Sequence, residues 1–268
     1  MTDTVAVIGV GKMGEALLSG MLRAGKPVAQ LRGTTRTSGR SEALRQRYGV
    51  AMVSNEEAVK AADTLLLAVK PQDMGRLLDE LAAYVSSDQL VISVAAGITT
   101  SFIERRLPDG TPCVRVMSNT PVLVDEAMSA VSPGSHAGEE HLRRTEEILQ
   151  PVGRVMRVPE SQQDAVTALS GSGPAYVYYL VEAMTDAGIL LGLPRHVAHD
   201  LIVQAVRGAA AMLVESGEPP VLLREAVTSP AGTTINAIRE LENHRVRAAV
   251  LDAIVAAHDR SRELAGGA

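Results

Sequence analysis

A short apolar run that leads straight into spaced glycines constrains the fold of this chain more than any other feature. Residues 5–8 read Val-Ala-Val-Ile, and Gly9, Gly11 and Gly14 follow in the spacing G-x-G-x-x-G. The pattern of residues 15–23 is helical. A strand that turns through glycines into a helix leaves N–H groups and the positive helix end free for phosphates. We therefore expect dinucleotide binding, with a ligand-free glycine turn as the alternative.

The residues after the second predicted strand favour NADP over NAD. NAD-binding folds usually place an acidic residue about 20 positions beyond the glycines to hold the ribose 2′-hydroxyl. No Asp or Glu lies between positions 15 and 42, where Thr34, Thr35 and Arg36 stand instead. Hydroxyls and a guanidinium suit a 2′-phosphate. We predict NADPH as the cofactor and NADH as a second choice; the alternative is a polar surface loop.

Composition excludes several classes of protein. The net charge of −5 provides no basic surface for nucleic acid. The single cysteine, Cys113, rules out an internal disulfide and fits a reducing, cytoplasmic location. Apolar runs are shorter than the roughly 18 residues that a membrane span needs. We therefore predict no membrane partner. His196 and His199 lack a third ligand, so we also predict no metal site.

The chain divides into an α/β half and a helical half. Short apolar runs alternate with amphipathic stretches up to about residue 158, which indicates a Rossmann-type, mostly parallel sheet. Predicted strands are 5–8, 28–34, 50–53, 64–69, 90–95, 112–117, 127–132 and 152–158. Predicted helices are 13–24, 39–48, 55–61, 73–84, 100–106 and 139–149, then 161–191, 195–216, 221–227, 231–242 and 245–264. We expect domains at 1–160 and 161–268, the second burying its apolar surface against a twin.

Loops after three predicted strands carry further candidate ligands, because open parallel sheets bind ligands beyond the carboxyl ends of their strands. Residues 68–71 read Ala-Val-Lys-Pro. Ala95, Ala96 and Gly97 would let a flat nicotinamide ring approach backbone, although close strand–helix packing explains them equally well. Asn119 is a candidate amide ligand, and its Asn-Thr-Pro context is also ordinary turn chemistry.

Two segments of the helical half stand out. Residues 168–176 interrupt a helical pattern, and we expect Ser172 to be the N-cap of the helix that restarts there. The alternative is a helix kink without a ligand. In residues 227–236 we expect Ser229 as N-cap and Pro230 as the first helical residue. Extra hydroxyls at positions 233 and 234 suggest a site for a small carboxylate; the alternative is a plain capped helix.

In combination, these motifs resemble the pyrroline-5-carboxylate reductase family over about residues 5–264. The motifs are residues 9–14, 68–71, 94–97, 114–121, 169–175 and 229–234. The resemblance implies an oxidoreductase that reduces 1-pyrroline-5-carboxylate to L-proline, the final step of proline biosynthesis. It also implies a homodimer or a ring of dimers. The chain departs from many bacterial members at Ser118, where they have proline, and at Ala231, where they have glycine.

The resemblance also implies roles for individual residues. Thr234 would lie beside the ring nitrogen of the substrate and is the catalytic candidate. Ser229 and the N–H groups of Gly232, Thr233 and Thr234 would bind the carboxylate, with Ser172 as a further substrate-binding candidate. The candidate cofactor-binding residues are Gly9, Gly11, Lys12, Met13, Gly14, Thr34, Thr35, Arg36, Asn55, Ala68, Val69, Lys70, Pro71, Ala95, Ala96, Gly97 and Asn119.

Two other functions remain open. Another NADP oxidoreductase, such as a β-hydroxyacid dehydrogenase or an imine reductase, would usually offer a catalytic lysine or aspartate on the long helix between domains. This chain has Ser-Gly-Ser-Gly-Pro at residues 170–174 instead. A non-catalytic NADP-binding sensor would keep residues 9–14 but has no reason to keep residues 229–234.

Overall fold

An eight-stranded sheet organises the first part of the chain in this computed structural model, which describes residues 4–266. The strands are β1 (Val5–Ile8), β2 (Leu31–Gly33), β3 (Ala51–Met52), β4 (Thr64–Leu67), β5 (Leu90–Ser93), β6 (Cys113–Met117), β7 (Ala127–Pro133) and β8 (Gly153–Arg157). Their order is β3-β2-β1-β4-β5-β6-β7-β8. Only the β6–β7 pairing is antiparallel among these strands. The predicted mostly parallel sheet is confirmed.

Helices follow most strands and then fill the rest of the chain. They are α1 (Lys12–Arg23), α2 (Ser38–Tyr48), α3 (Asn55–Lys60), α4 (Pro71–Leu81), α5 (Thr100–Glu104), α6 (Glu139–Leu149), α7 (Gln163–Val166), α8 (Gly173–Leu190), α9 (Arg195–Ser216), α10 (Pro220–Ala226), α11 (Thr233–Asn243) and α12 (Val246–Gly266). The second predicted strand is shorter than expected, because Val28–Gln30 form a 3₁₀ turn after Pro27.

Both faces of the sheet are covered, as parallel sheets require. Leu66 packs on one face with apolar residues of α1, α2 and α6, while Leu65 and Leu67 pack on the other with those of α3, α4 and α5. The alternation follows from the two-residue period of a strand. Because β1 pairs with both β2 and β4, the connections diverge at its carboxyl end. In such folds this divergence opens a ligand-binding crevice.

The contact pattern divides the described chain into two compact units. The first comprises residues 4–172 together with 257–266, and the second comprises residues 173–256. This division differs from the expected boundary between 160 and 161, because residues just beyond 160 still pack on the sheet. The buried Gln163 donates to the Ala130 carbonyl at 3.3 Å and to Ser132 Oγ at 2.8 Å.

The segment before α8 is a wide helical turn, not the break that the sequence suggested. Thr167–Gly171 is π-helical, and the Ser172 N–H donates to the Thr167 carbonyl at 2.8 Å. Ser172 has φ −88° and ψ −17°, which are helical values, so the predicted N-cap at this position is wrong. The π-helical turn ends at Gly171, and regular α-helix resumes as α8 at Gly173, directly after Ser172.

The second unit is helical and exposes much apolar surface. Tyr179 of α8 is 72% exposed, and Leu251 of α12 is 61% exposed. Of the described helices, α9 has the length and apolar composition to cross a membrane, although only 6% of that stretch is buried. The absence of a membrane partner therefore stays a prediction.

Candidate functional site

The glycine turn between β1 and α1 has the geometry that a phosphate group needs. Gly9 has φ +85°, and a Cβ at this position would lie 2.6 Å from Val69 Cγ1. A Cβ on Gly14 would lie 3.0 Å from the Gly9 carbonyl oxygen, so this glycine allows α1 to approach the turn. Gly11 is the N-cap of α1 without a capping side chain, and the space around it is open. The first N–H groups of α1, including those of Lys12 and Met13, therefore fit a pyrophosphate.

Thr34 holds this turn in place. The Gly9 N–H donates to Thr34 Oγ1 at 3.1 Å, and the Val10 N–H donates to the Thr34 carbonyl at 2.8 Å. Thr34 is buried. The Thr35 hydroxyl donates to the Thr37 carbonyl at 3.0 Å. Both threonines thus have partners within the protein, and Arg36 is the most exposed of the three residues that suggested NADP.

Six of the predicted cofactor residues share one pocket of about 410 Å³. They are Gly9, Thr34, Thr35, Arg36, Asn55 and Val69. The Asn55 amide donates to Glu80 Oε1 at 2.9 Å. Three charged residues of α4 also line the pocket, namely Asp73, Arg76 and Glu80. The sequence reasoning missed these three; their helical spacing beyond Pro71 is the signal that would have placed them on one face.

A larger pocket of about 820 Å³ lies beside the loops that follow β4 and β5. Pro71, Ala96, Gly97 and Ser172, all singled out in the sequence, contribute to its lining. Ala95 lies buried beneath the exposed Ala96. The lining is mainly apolar and small, which suits a flat ring such as nicotinamide.

The remaining residues of the two strand-end loops have less open surroundings. Lys70 is exposed and is the N-cap of α4, where its side chain caps no backbone group. Ala68 is partly buried, and its Cβ would lie 3.2 Å from a Cβ on Gly14. A side chain at position 14 would therefore crowd Ala68, whereas the exposed Lys70 side chain caps no backbone group of α4.

Asn119 has a structural role. Its Nδ2 donates to the Ser170 carbonyl at 3.0 Å, and its Oδ1 accepts from the Met128 N–H at 3.1 Å. The side chain ties the end of β6 to the π-helical turn and to β7. These bonds favour the turn interpretation of this motif over the expected amide ligand.

Residues 229–234, which we call the carboxylate motif, begin with a tight turn. The Gly232 N–H donates to the Ser229 carbonyl at 3.1 Å, and Ala231 has φ +56°. Pro230 occupies the second position of this turn, which its fixed φ favours. The expectations that Ser229 caps a helix and that Pro230 opens it are therefore wrong. The Gly232 N–H thus has a partner within the turn, and its place in the carboxylate site stays a prediction.

The helix itself starts two residues later than the predicted range of 231–242. α11 begins at Thr233 with Gly232 as its N-cap, and no side chain caps it. The Asn236 amide donates to the Gly232 carbonyl at 2.9 Å and so steadies the helix start. The N–H groups of Thr233, Thr234 and the next residue therefore remain for an anion, beside the partly buried Thr234 hydroxyl.

An ionic cluster supports the start of α1. Burial raises the pKa of Glu15, but the hydrogen bond from Tyr48 and the nearby Arg40 and Arg47 outweigh it, so the net pKa is lowered. Glu15 therefore stays ionised and holds α2 against α1. Across residues 4–266, no group of three or more His, Cys, Asp or Glu side chains is arranged to hold a metal ion.

Two family models match this chain. One is described as pyrroline-5-carboxylate reductase dimerisation and covers residues 160–264. The other is described as NADP oxidoreductase, coenzyme F420-dependent, and covers residues 4–97. The two matches fall on the helical part and on the glycine-bearing part of the sheet, and the first supports self-association of the chain.

Individual relatives agree over nearly the whole chain. A pyrroline-5-carboxylate reductase of Corynebacterium melassecola is 45% identical over 265 residues, which are 97% of this chain and 98% of the relative. A solved pyrroline-5-carboxylate reductase of Coxiella burnetii is 34% identical, with a TM-score of 0.93, over 98% of this chain and 99% of the other. A Plasmodium falciparum pyrroline carboxylate reductase, solved with NADP bound, is 28% identical, with a TM-score of 0.88, over 98% of each chain.

Proposed function

The chain belongs to the pyrroline-5-carboxylate reductase family, and on that basis we propose that it reduces 1-pyrroline-5-carboxylate to L-proline with NADPH. The observation that carries the proposal is the 45% identity to a reductase of that name over 97% of this chain. A relationship of this extent includes both the glycine turn and the turn at residues 229–232. A sensor that only bound NADP would need the first of these and not the second.

The first unit supplies the cofactor residues in this proposal. The free N–H groups at the start of α1 bind the pyrophosphate, and Arg36 binds the 2′-phosphate. The small residues Ala95, Ala96 and Gly97 leave room for the nicotinamide, which supplies a hydride when the cofactor is bound. Thr34 acts by holding Gly9 in place.

The second unit supplies the carboxylate site. The N–H groups of Thr233 and Thr234 and the Ser229 hydroxyl bind the substrate carboxylate. Binding at this point fixes the imine ring, and the gain in rate is mainly proximity and orientation. Ser172 of the first unit is a further substrate contact, because it lines the pocket beside Ala96 and Gly97. We propose that a second subunit completes the cleft.

The Thr234 hydroxyl orients the reacting nitrogen. Reduction adds a hydride to the ring carbon of the C=N bond, and the nitrogen, carrying a proton, becomes the secondary amine of proline. A threonine hydroxyl is too weak an acid to donate that proton outright at neutral pH. Thr234 therefore either orients the nitrogen through a hydrogen bond or relays its proton through water.

The wider setting is part of the same proposal. We propose functional domains at residues 1–160 and 161–268, since the dimerisation family model begins at 160. The assembly is a dimer or a ring of dimers in the cytoplasm, with no membrane or nucleic-acid partner. The net charge of −5 agrees with the absence of a nucleic-acid partner.

Oxidation of NADPH, followed by its absorbance in the presence of 1-pyrroline-5-carboxylate, tests the reaction. We expect turnover and proline as the product. NADPH binding without turnover would instead indicate a sensor. Turnover of a 2-hydroxy acid or of an unrelated imine, with 1-pyrroline-5-carboxylate inert, would indicate another oxidoreductase of similar layout.

A further inference from the structure

Three charged residues of α4 line the pocket that holds Arg36, and two of them, Asp73 and Arg76, form ion pairs there. Asp73 forms an ion pair with Arg36 through Oδ2. Its other oxygen, Oδ1, lies 3.4 Å from Arg76 Nη2. The Asp73 side chain is 19% exposed, whereas those of Arg36 and Arg76 are 65% and 78% exposed. One partly buried carboxylate thus holds two guanidinium groups at the mouth of the pocket.

The charges of this pocket balance. Two guanidinium groups, those of Arg36 and Arg76, face two carboxylates, those of Asp73 and Glu80. Glu80 accepts a hydrogen bond from Asn55, whereas Asp73 pairs with both arginines. A pocket that selected a 2′-phosphate by charge alone would carry an excess of positive charge. This pocket carries none, and Asp73 is the carboxylate that offsets its arginines.

The ion pairs around Asp73 are easily exchanged. Both guanidinium groups are largely exposed to solvent, and ion pairs that water reaches stabilise a protein only weakly. A phosphate carries about −1.5 to −2 charge and three acceptor oxygens, so it competes well with one carboxylate for a guanidinium. Asp73 remains nearby in that case and repels the phosphate. With a free 2′-hydroxyl, the same carboxylate is instead a suitable acceptor.

We propose that Asp73 and Arg76 set the discrimination of this chain between NADPH and NADH. Arg76 is a second guanidinium for the 2′-phosphate beside Arg36. Asp73 limits the preference by repelling that phosphate, and it supplies from α4 the acidic group that the end of β2 lacks. This inference rests on the proposed use of NADPH.

Equilibrium binding of both cofactors to the full chain, measured by calorimetry, tests the inference. Arg76→Gln should weaken NADPH binding about 10- to 100-fold, as expected for loss of a charge-assisted hydrogen bond, and leave NADH binding within about 2-fold. Asp73→Asn should tighten NADPH binding about 5- to 10-fold without tightening NADH binding. Arg76→Lys, which keeps the charge, should retain most of the NADPH preference.

Matched controls come from α6, where Arg143 Nη1 lies 2.6 Å from Glu147 Oε1 in an exposed pair. Arg143→Gln and Glu147→Gln make the same chemical changes outside the pocket and should alter neither dissociation constant. Adenosine 2′,5′-bisphosphate and adenosine 5′-monophosphate repeat the comparison without the nicotinamide half. Arg76→Gln should weaken the binding of adenosine 2′,5′-bisphosphate and leave that of adenosine 5′-monophosphate unchanged.

Three outcomes overturn the inference. The first is that Arg76→Gln weakens the binding of both cofactors equally, or the binding of neither. Asp73→Asn has the wrong effect if NADPH binds more weakly, because Asp73 then only positions the arginines. Failure of the unaltered protein to bind NADPH removes both the inference and the proposed cofactor. By contrast, NADPH binding without reduction of 1-pyrroline-5-carboxylate removes the proposed reaction and leaves this inference standing.

Discussion

Ala231 occupies a backbone conformation that L-residues other than glycine rarely adopt. Its φ of +56° lies at the third position of the turn that precedes α11. A left-handed conformation costs a residue with a Cβ about 1–2 kcal/mol. A glycine at this position would avoid that cost. Ala231 is therefore a strained residue of the turn at residues 229–232.

Ala231→Gly should consequently stabilise the protein by about 0.5–1 kcal/mol, because relief of strain exceeds the added unfolded-state entropy of about 0.4–1 kcal/mol. Thermal unfolding at one fixed protein concentration measures the change. Ala43→Gly, in the exposed helical backbone of α2, is the matched control, and it should lower the stability of the protein by about 1 kcal/mol. Equal losses for both variants would contradict the strain argument.

Thr234→Ala tests the proposed orienting hydroxyl. We expect kcat to fall about 10- to 1000-fold, which corresponds to about 1–4 kcal/mol, with cofactor affinity unchanged. Steady-state kinetics and NADPH titration together measure both effects. Thr228→Ala removes a nearby hydroxyl that donates to the Arg224 carbonyl at 2.6 Å, and its kcat should stay near that of the unaltered protein. Normal turnover by Thr234→Ala would exclude the proposed role.

Between elements, one carboxylate joins three parts of the first unit. Glu160 accepts from the Thr100 N–H at 2.8 Å and from the Thr100 hydroxyl at 2.5 Å, at the start of α5. It also accepts from Arg115 Nη1 of β6 at 3.2 Å, and Arg115 is buried. The segment between β8 and α7 is thereby fixed to the sheet, because a buried guanidinium needs this counter-charge.

Glu160→Gln should lower the free energy of unfolding by about 1–3 kcal/mol, since it leaves Arg115 without a charged partner and puts an amide N–H group against the donors of Thr100. Urea denaturation followed by circular dichroism measures the loss. Glu147→Gln alters an exposed pair on α6 and should change stability by less than about 0.5 kcal/mol. A loss no larger than that of this control would show that Glu160 is dispensable.

At the same scale, sequence patterns predicted elements better than their junctions. The eight strands and the helices α1 to α6 lie within or close to the predicted ranges, and the pattern is strongest in β1, β4 and β5, where every residue is buried. The junction at Ser172 was misread, since a π-helical turn leaves glycine and serine in a helical backbone. Ser229 and Pro230 were misread because they suit a turn as well as a helix start.

Over the whole molecule, the site residues that escaped prediction are those that the fold brings together from distant positions. Gly9 to Gly14 and Arg36 follow strands that local patterns reveal. Arg76 and Asp73 reach the same pocket only because β4 lies beside β1, and no local sequence pattern predicts that pairing. The internal hydrogen bonds of Asn119 are likewise set by the fold, which brings its amide to Ser170 and Met128, and its role as a ligand stays a prediction.

Self-association is the prediction for the intact molecule. Burial of the apolar helices of the second unit should give a dimer or larger assembly at micromolar concentration in light scattering. Leu251→Glu in α12 should shift the mass toward the monomer, because the contact would have to bury a charge. Leu123→Glu is the matched control, since Leu123 lies in the first unit and is equally exposed at 61%. A monomeric unaltered protein would refute the assembly.

The last described turns of α12 return to the sheet-bearing unit, where Ser261 Oγ donates to Asp164 Oδ1 at 2.7 Å. The helical unit is thus an insertion between residues 172 and 257 in chain order. Anyone wishing to isolate the nucleotide-binding half must excise the middle of the chain and graft the tail back. A clone that simply stops at residue 172 would leave out one wall of the pocket at Ala96 and Gly97.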